Sequence, residues 1–257
     1  MPPAPLPTLM PTPSTLPLTA TPQPLDTGWQ MAAPGVELRR LRVELQGQLV
    51  PLSIVRLDPT QVQFRVGYAP DQPPTLSQWA RQEAALAVIN GGFFDAKGRT
   101  VALLVQAGQP LGSSYVGRGG MFAVAPDGTV SLRALSDLPY DPSVPISEGL
   151  QGWPTLVRTA GEATYTYEDG QRSRRSVLAM DQAGRVLLIA APTAAFTLAE
   201  LSHWLATADL EIATAINLDG GSSTGLWLSG DGVAERIDPF VGLPIVLIVT
   251  PRSLATP

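Results

Sequence analysis

The sequence predicts an α+β fold, a single domain built on a mostly antiparallel or mixed sheet with a few helices packed against it. Three observations carry this. Short apolar runs alternate with period two between Gly, Pro and Asp-Gly breaks, the pattern of strands joined by turns. Two segments open with a capping box, the signature of a helix start. A chain of 257 residues with 44% hydrophobic content is also long enough to bury a large core.

The elements follow in chain order. Residues 1–24, MPPAPLPTLMPTPSTLPLTATPQP, hold nine prolines and no charged side chain. Proline has no amide to donate and resists both helix and ladder, so residues 1–34 are read as a solvated, polyproline-like tether. The domain is placed at 35–252, with a short tail at 253–257. Tethers of this kind follow a cleaved signal or a lipid anchor, so an exported protein whose natural leader has been removed is expected, in the periplasm, on the cell surface or outside the cell.

Residues 38–58 alternate on either side of Gly47 like a strand pair, and 62–69 continue the period. Further strands are expected at 85–90, 120–126, 129–135, 176–181, 185–191, 215–218, 225–229 and 243–249. Asp127-Gly128 and Gln182-Ala183-Gly184 supply hairpin turns. The apolar run at 241–251 is far shorter than the roughly 18 residues of a spanning helix, so it reads as a buried strand and no membrane span is expected.

The first helix opens at Thr75 with Gln78 three residues on, and the second at Thr197 with Glu200. Each is followed by an apolar strand that ends in a polar residue and two glycines, Asn90-Gly91-Gly92 and Asp219-Gly220-Gly221. The order helix, strand, polar-Gly-Gly therefore occurs twice.

Composition limits the chemistry. The formal net charge is −5 with no long basic run, so no nucleic-acid partner is expected. The absence of cysteine excludes disulfides, thiolate nucleophiles and Cys-based metal sites. His203 is the single histidine, in mid-helix beside Trp204, which excludes HExxH and paired-histidine sites, and no GxSxG elbow is present. Nothing points to a particular oligomeric state.

Four stretches look like site loops. In AINLDGGSSTGLWL a glycine pair at a strand exit permits turns that side chains forbid and lets a ligand reach the main chain. The Gly220–Ser223 segment suits an anionic oxygen, while Asp219 suits a base, a nucleophile or a metal ligand. INGGFFD places Asn90, Gly91, Gly92, Phe93, Phe94 and Asp95 at another strand exit. EGLQGWPTLV sets Glu148, Gln151, Gly152 and Trp153 before a strand. In DGQRSRRSVLAMD, Arg175 projects from the start of a buried strand, where a guanidinium grips a phosphate or carboxylate with two parallel bonds. Arg172 and Arg174 are read as solvated, pairing with Glu168 or Asp169.

NGGFFD, QGWPTLV, RRSVLAMD and NLDGGSST, in this order, resemble the phosphodiester glycosidase family, which has bacterial, exopolysaccharide-related members. The resemblance covers about residues 35–252. It implies a secreted hydrolase that acts on a carbohydrate phosphodiester: it cleaves a sugar-1-phosphodiester, releasing the sugar and leaving a phosphomonoester, with N-acetylglucosamine-1-phosphodiester as one such substrate. The matching positions are Asn90, Gly91, Gly92, Asp95, Gln151, Gly152, Arg175, Asn217, Asp219, Gly220, Gly221 and Ser222. The fourth motif departs from the family's usual three glycines, since Ser222 follows two, and Ala179 stands where a glycine is common.

Glycosidic cleavage ordinarily uses two carboxyls. A phosphodiester leaving group is a weak base that needs charge neutralisation more than protonation. On this reading Arg175 and Gly220, Gly221, Ser222 and Ser223 hold the phosphate. Asp219 works with Asp95 or Glu148 on the bond, and Asn90 and Gln151 meet sugar hydroxyls. Phe93, Phe94 and Trp153 are core residues first and a sugar-stacking surface second. No cofactor or metal is expected. Two other readings stay open: a non-catalytic carbohydrate or cell-wall binding module, and a metal-dependent phosphodiesterase in which Asp95 and Asp219 hold Ca²⁺ or Mg²⁺.

Overall fold

The structure is a computed structural model that describes residues 25–158 and 161–252. Residues 1–24 of the tether expected at 1–34, and the tail at 253–257, lie outside the described residues. In chain order the strands begin β1 (Gln30–Ala33), β2 (Val36–Leu45), β3 (Gln48–Leu57), β4 (Val62–Tyr68), β5 (Ala87–Asn90) and β6 (Leu104–Gln106). They continue β7 (Gln109–Leu111), β8 (Gly120–Val124), β9 (Val130–Ala134), β10 (Glu148–Gly152), β11 (Thr155–Arg158) and β12 (Glu162–Ala163). The last are β13 (Ser173–Asp181), β14 (Val186–Phe196), β15 (Ile212–Asn217), β16 (Leu226–Ser229), β17 (Ala234–Ile237) and β18 (Ile245–Pro251). Two α-helices, α1 (Leu76–Gln82) and α2 (Leu198–Thr207), are found among the described residues.

Three sheets result among the described residues: β1-β2-β3-β14-β13-β15-β11-β12, β7-β6-β10-β8-β9 and β17-β16-β5-β18-β4. Their strand pairs are antiparallel throughout, including β13 with β14 and β5 with β18. The expected antiparallel sheet is present, but the fold is more strand-rich than "a few packed helices" implies. Many of the additional strands are short, with three residues in β7 and two in β12.

Sheet alternation explains the long apolar runs. In β14, Val186, Leu188 and Ala190 face the central core between the sheets, while Leu187, Ile189 and Ala191 face the opposite side, where α2 packs through Leu201 and Leu205. In β18, Ile245, Leu247 and Val249 face the central core, and Val246 and Ile248 meet α1 through Leu76, Trp79 and Ala80. Strands buried on both faces need apolar residues at every position, which is why these runs do not alternate in polarity.

Both capping boxes form. The Thr75 hydroxyl accepts from the Gln78 amide at 3.3 Å, and the Gln78 side chain accepts from the Thr75 amide at 2.7 Å. Thr197 and Glu200 do the same at 3.2 and 3.1 Å. Such a cap stabilises a short helix by about 1 kcal/mol. His203 is exposed on α2.

The tether boundary at residue 34 is corrected. Residues 25–34 pack on the large sheet: Asp26 pairs with Arg39 at 2.7 Å, the Arg56 guanidinium lies 3.8 Å from the centre of a Trp29 ring, and β1 pairs with β2. Trp29 and Ala32 supply the apolar area that makes this pairing worthwhile.

Candidate active site

The two polar-Gly-Gly stretches sit at the ends of strands in different sheets, β5 and β15, and the fold brings them into contact. The Asn90 side-chain amide donates to the Asp219 carbonyl at 2.6 Å, and the Asp219 amide donates to the Gly91 carbonyl at 3.0 Å. Asn90 Oδ1 accepts from the Ser176 hydroxyl at 2.7 Å and from the Gly225 amide at 3.0 Å. Asn90 is 1% exposed and fully engaged. It is therefore a brace for the Asp219 loop, not the expected contact to a sugar hydroxyl.

The third sheet arrives through β10. An added Cβ on Gly152 would lie 2.4 Å from the Asn217 carbonyl oxygen, closer than any side chain permits, so only glycine allows this strand exit to meet β15. Gly91 and Gly92 press against Ile245 and the Gln151 carbonyl in the same way. Beyond Asp219 the chain turns at Gly221, whose φ of 60° is left-handed, into a 3₁₀ turn over Gly221–Ser223.

At this junction lies a cavity of ≈ 350 Å³, lined by Phe93, Trp153, Ser173, Arg175, Leu198, Asn217, Gly220, Gly221 and Ser222. Asp219 lies in sequence between the lining residues Asn217 and Gly220, and its own side chain is not among the lining. Burial pushes its carboxyl above the ordinary carboxylate value, against the pull of hydrogen bonds from Ser223 and the Gly220 amide. Arg175 donates through Nε to the Phe196 carbonyl at 3.2 Å and through Nη2 to the Gln171 carbonyl at 2.7 Å. It makes no ion pair among the described residues. Burial lowers its pKa, opposed by the nearby charge of Asp169. Asn217 is 4% exposed, donates to the Trp153 carbonyl at 2.9 Å, and keeps a buried Oδ1 with no partner. Trp153, on the rim, meets Tyr165 edge to face at 6.0 Å.

Of the expected side chains, Asn90, Gln151, Glu148, Asp95, Ser223 and Asp219 itself are not among the residues that line this cavity. Glu148 lies at the far end of β10, where its carboxylate accepts from the Val66 amide at 2.8 Å and the Ala107 amide at 3.2 Å. It fastens β4 to the β6–β7 turn, and burial raises its pKa. Asp95 accepts from the Lys97 and Arg99 amides and from the Arg99 guanidinium, which together hold its carboxyl below the usual range. Its role is to shape its own turn. Gln151 is buried, accepting from the Tyr115 amide at 2.9 Å and donating to the Ser114 hydroxyl at 2.8 Å, so it secures the loop after β7. Phe94 packs on the central core, whereas Phe93 reaches the cavity.

Arg172 pairs with Glu200 at 2.7 Å rather than with Glu168 or Asp169, and Arg174 is buried, not solvated. Ser173 and Leu198 line the cavity without having been singled out. Ser173 was legible through its position two residues before Arg175, which puts it on the same strand face. Leu198 follows a helix cap and carried no signal. Among the described residues no three His, Cys, Asp or Glu side chains group closely enough to hold a metal ion, and Asp95 is already bound to Arg99. No helix among them is long and apolar enough to cross a membrane.

The arrangement joins a guanidinium without a carboxylate partner, a loop backbone and one carboxyl with a raised pKa, which suits binding of an anionic group beside a proton-transfer or nucleophilic centre. A family model described as "Phosphodiester glycosidase" matches residues 83–246, more than half of the chain. No curated protein sequence matches it. Among solved structures, the fold is similar to the catalytic domain of zebrafish N-acetylglucosamine-1-phosphodiester alpha-N-acetylglucosaminidase, auto-inhibited by its pro-peptide. That match has a TM-score of 0.65 and 20% identity over 86% of this chain and 85% of that one. A hypothetical protein from Synechocystis matches with TM-score 0.60 and 17% identity, covering 85% of this chain and 62% of that one. A Burkholderia pseudomallei protein provisionally named as exported matches with TM-score 0.54 and 13% identity, over 79% and 74% of the two chains.

Proposed function

The chain belongs to the phosphodiester glycosidase family, and we propose that it hydrolyses the glycosidic bond of a sugar-1-phosphodiester, releasing the free sugar and leaving a phosphomonoester on the second alcohol. The observation that carries this reading is Arg175, a half-buried cation without an ion-pair partner among the described residues, facing the same ≈ 350 Å³ cavity as Asn217 and the Gly220–Ser222 backbone. The zebrafish protein of the same fold carries N-acetylglucosamine-1-phosphodiester in its name, so that compound is the first substrate to test.

In this reading Arg175 and the loop amides take the phosphate oxygens, and the electron pair of the breaking anomeric C–O bond leaves on the phosphate. The departing phosphomonoester needs little protonation, so one carboxyl suffices. Asp219 either takes the proton of the water that attacks the anomeric carbon, or attacks that carbon itself to form a glycosyl ester that water then hydrolyses, freeing the sugar and restoring the carboxylate. The unpaired Oδ1 of Asn217 accepts from a sugar hydroxyl, the role that Asn90 and Gln151 are too occupied to fill. Trp153 offers a partly exposed ring to the sugar face.

The test is release of free sugar from a small panel of sugar-1-phosphodiesters by the wild-type chain, Asp219→Asn and Arg175→Ala, with and without a chelator. Wild-type turnover that survives the chelator and falls by roughly 10²-fold or more in each variant supports the assignment. Near-normal rates in either variant would refute its role, and chelator-sensitive turnover would favour the metal-dependent alternative. The absence of Asp95, Glu148 and the Asp219 side chain from the cavity lining favours a second reading, in which the protein binds a sugar phosphate without turning it over; saturable binding with no product would establish it. An exported location is supported by the uncharged, Pro-rich residues 1–24 and by the similar fold of the Burkholderia protein, and cell fractionation checks it.

A further inference from the structure

A second, larger cavity of ≈ 600 Å³ lies between the large sheet and the edge strand β17. Arg40, Arg42, Arg174 and Arg236 line it with Glu235 and Asp238, and Arg174 is the cation there that makes no ion pair among the described residues while Arg40 and Arg236 each meet one of the carboxylates. This is a positive site in a chain whose formal net charge is −5. Both carboxylates are already committed, Glu235 to Arg40 at 2.6 Å and Asp238 to Arg236 at 2.8 Å.

Arg174 is the unusual member. It is 8% exposed, makes no ion pair among the described residues, and donates only from Nη2, to the Asp238 carbonyl at 2.9 Å. Its Nε and Nη1 are buried with no hydrogen-bond partner among the described residues. An arginine stays charged in any folded protein, so these orphan donors carry a desolvation cost that no hydrogen bond among the described residues offsets. The Phe240 ring covers the guanidinium at 4.2 Å, a partial compensation from a residue that is 77% exposed. A methionine would fill the same space without the cost.

We propose that this cavity binds a small organic oxyanion, a carboxylate- or phosphate-bearing molecule, whose oxygens satisfy Arg174. It is a site separate from the candidate active site. Alternation along β13 places Ser173 and Arg175 at one cavity and Arg174 at the other. Residues 1–24 contain no Asp or Glu side chain to serve as an internal occupant.

The experiment is calorimetric titration of the full chain with inorganic phosphate, with glucuronate and with glucose as a neutral control, in wild type, Arg174→Met and Arg175→Ala, alongside each protein's Tm without ligand. The expected result is saturable binding of at least one oxyanion and not of glucose. That binding persists in Arg175→Ala and weakens roughly tenfold or more in Arg174→Met. Arg174→Met should melt no lower than wild type, because it removes an unsatisfied buried charge. Phosphate binding alone assigns a phosphoryl ligand, and glucuronate binding alone a carboxylate. No saturable binding, equal affinity in Arg174→Met, loss of binding only in Arg175→Ala, or a clearly lower Tm for Arg174→Met would each overturn the proposal. Should the Met variant fail to fold, Arg174→Gln is read by the same criteria.

Discussion

Replacing Asn90 by alanine removes the hydrogen bonds that tie β5, β13 and the Asp219 loop together. Three groups lose their partner: the buried Gly225 amide, the Ser176 hydroxyl and the Asp219 carbonyl. The Gly225 amide cannot reorient, and an orphaned buried donor costs about 1–3 kcal/mol. The Asp219 carbonyl belongs to a half-buried loop that water can reach, and the Ser176 hydroxyl can rotate to another acceptor, so each adds less. With the small cavity left by the side chain, the expected loss is about 2–4 kcal/mol, read as a fall in Tm of about 5–15 °C for a domain of this size. Urea denaturation with a constant m-value measures it directly. The double variant Asn90→Ala/Ser176→Ala should cost less than the sum of the singles by about 0.5–1.5 kcal/mol, because the two side chains share one bond. An Asn90→Ala protein within about 0.5 kcal/mol of wild type, the range of an ordinary surface change, would refute the brace.

Three further outcomes are expected. If Asp219 works as its carboxylate, the acidic limb of kcat/KM lies above the ordinary carboxylate range, since burial raises its pKa; folding stability from this group is full at low pH and declines as pH rises from the unfolded value through the raised folded one, and a pH–rate profile with an unshifted limb counts against the assignment. Glu148→Gln should keep turnover within a few-fold of wild type while losing about 1–2 kcal/mol in thermal or urea unfolding, as its new NH₂ faces one of the two amides the carboxylate now accepts; a collapse of turnover in a folded variant would return Glu148 to the chemistry. Gly152→Ala should destabilise by about 2 kcal/mol or more, because its methyl would sit 2.4 Å from a backbone oxygen, and an unfolding curve that matches wild type would show that the strands separate more readily than this packing implies.

Much of the fold was legible because local rules and global demands agree. The hairpin at Gln46-Gly47 forms with both residues at positive φ, and both helices start at their capping boxes. The meeting of the two polar-Gly-Gly strand ends was legible as a likeness between them, though not as the contact that joins Asn90 to Asp219. What sequence could not supply was direction. Glu148 and Gln151 are polar residues in a strand buried along its whole length, and composition does not distinguish a carboxylate that receives backbone amides from one that faces substrate. Arg174 and Arg175 differ by one position and so by a whole face of the sheet. The short strands β6 and β7, the latter containing Pro110, carry too little periodic signal to be seen, and Pro24 and Pro34 disguised the packed residues between them.

The bond between Asn90 and Asp219 spans 129 residues of chain. During synthesis the first partner leaves the ribosome well before the second, so the nascent chain carries no assembled centre until most of it has been translated. A protease cut in any exposed loop between them leaves the braced ends on two fragments, whose association then decides whether the centre persists.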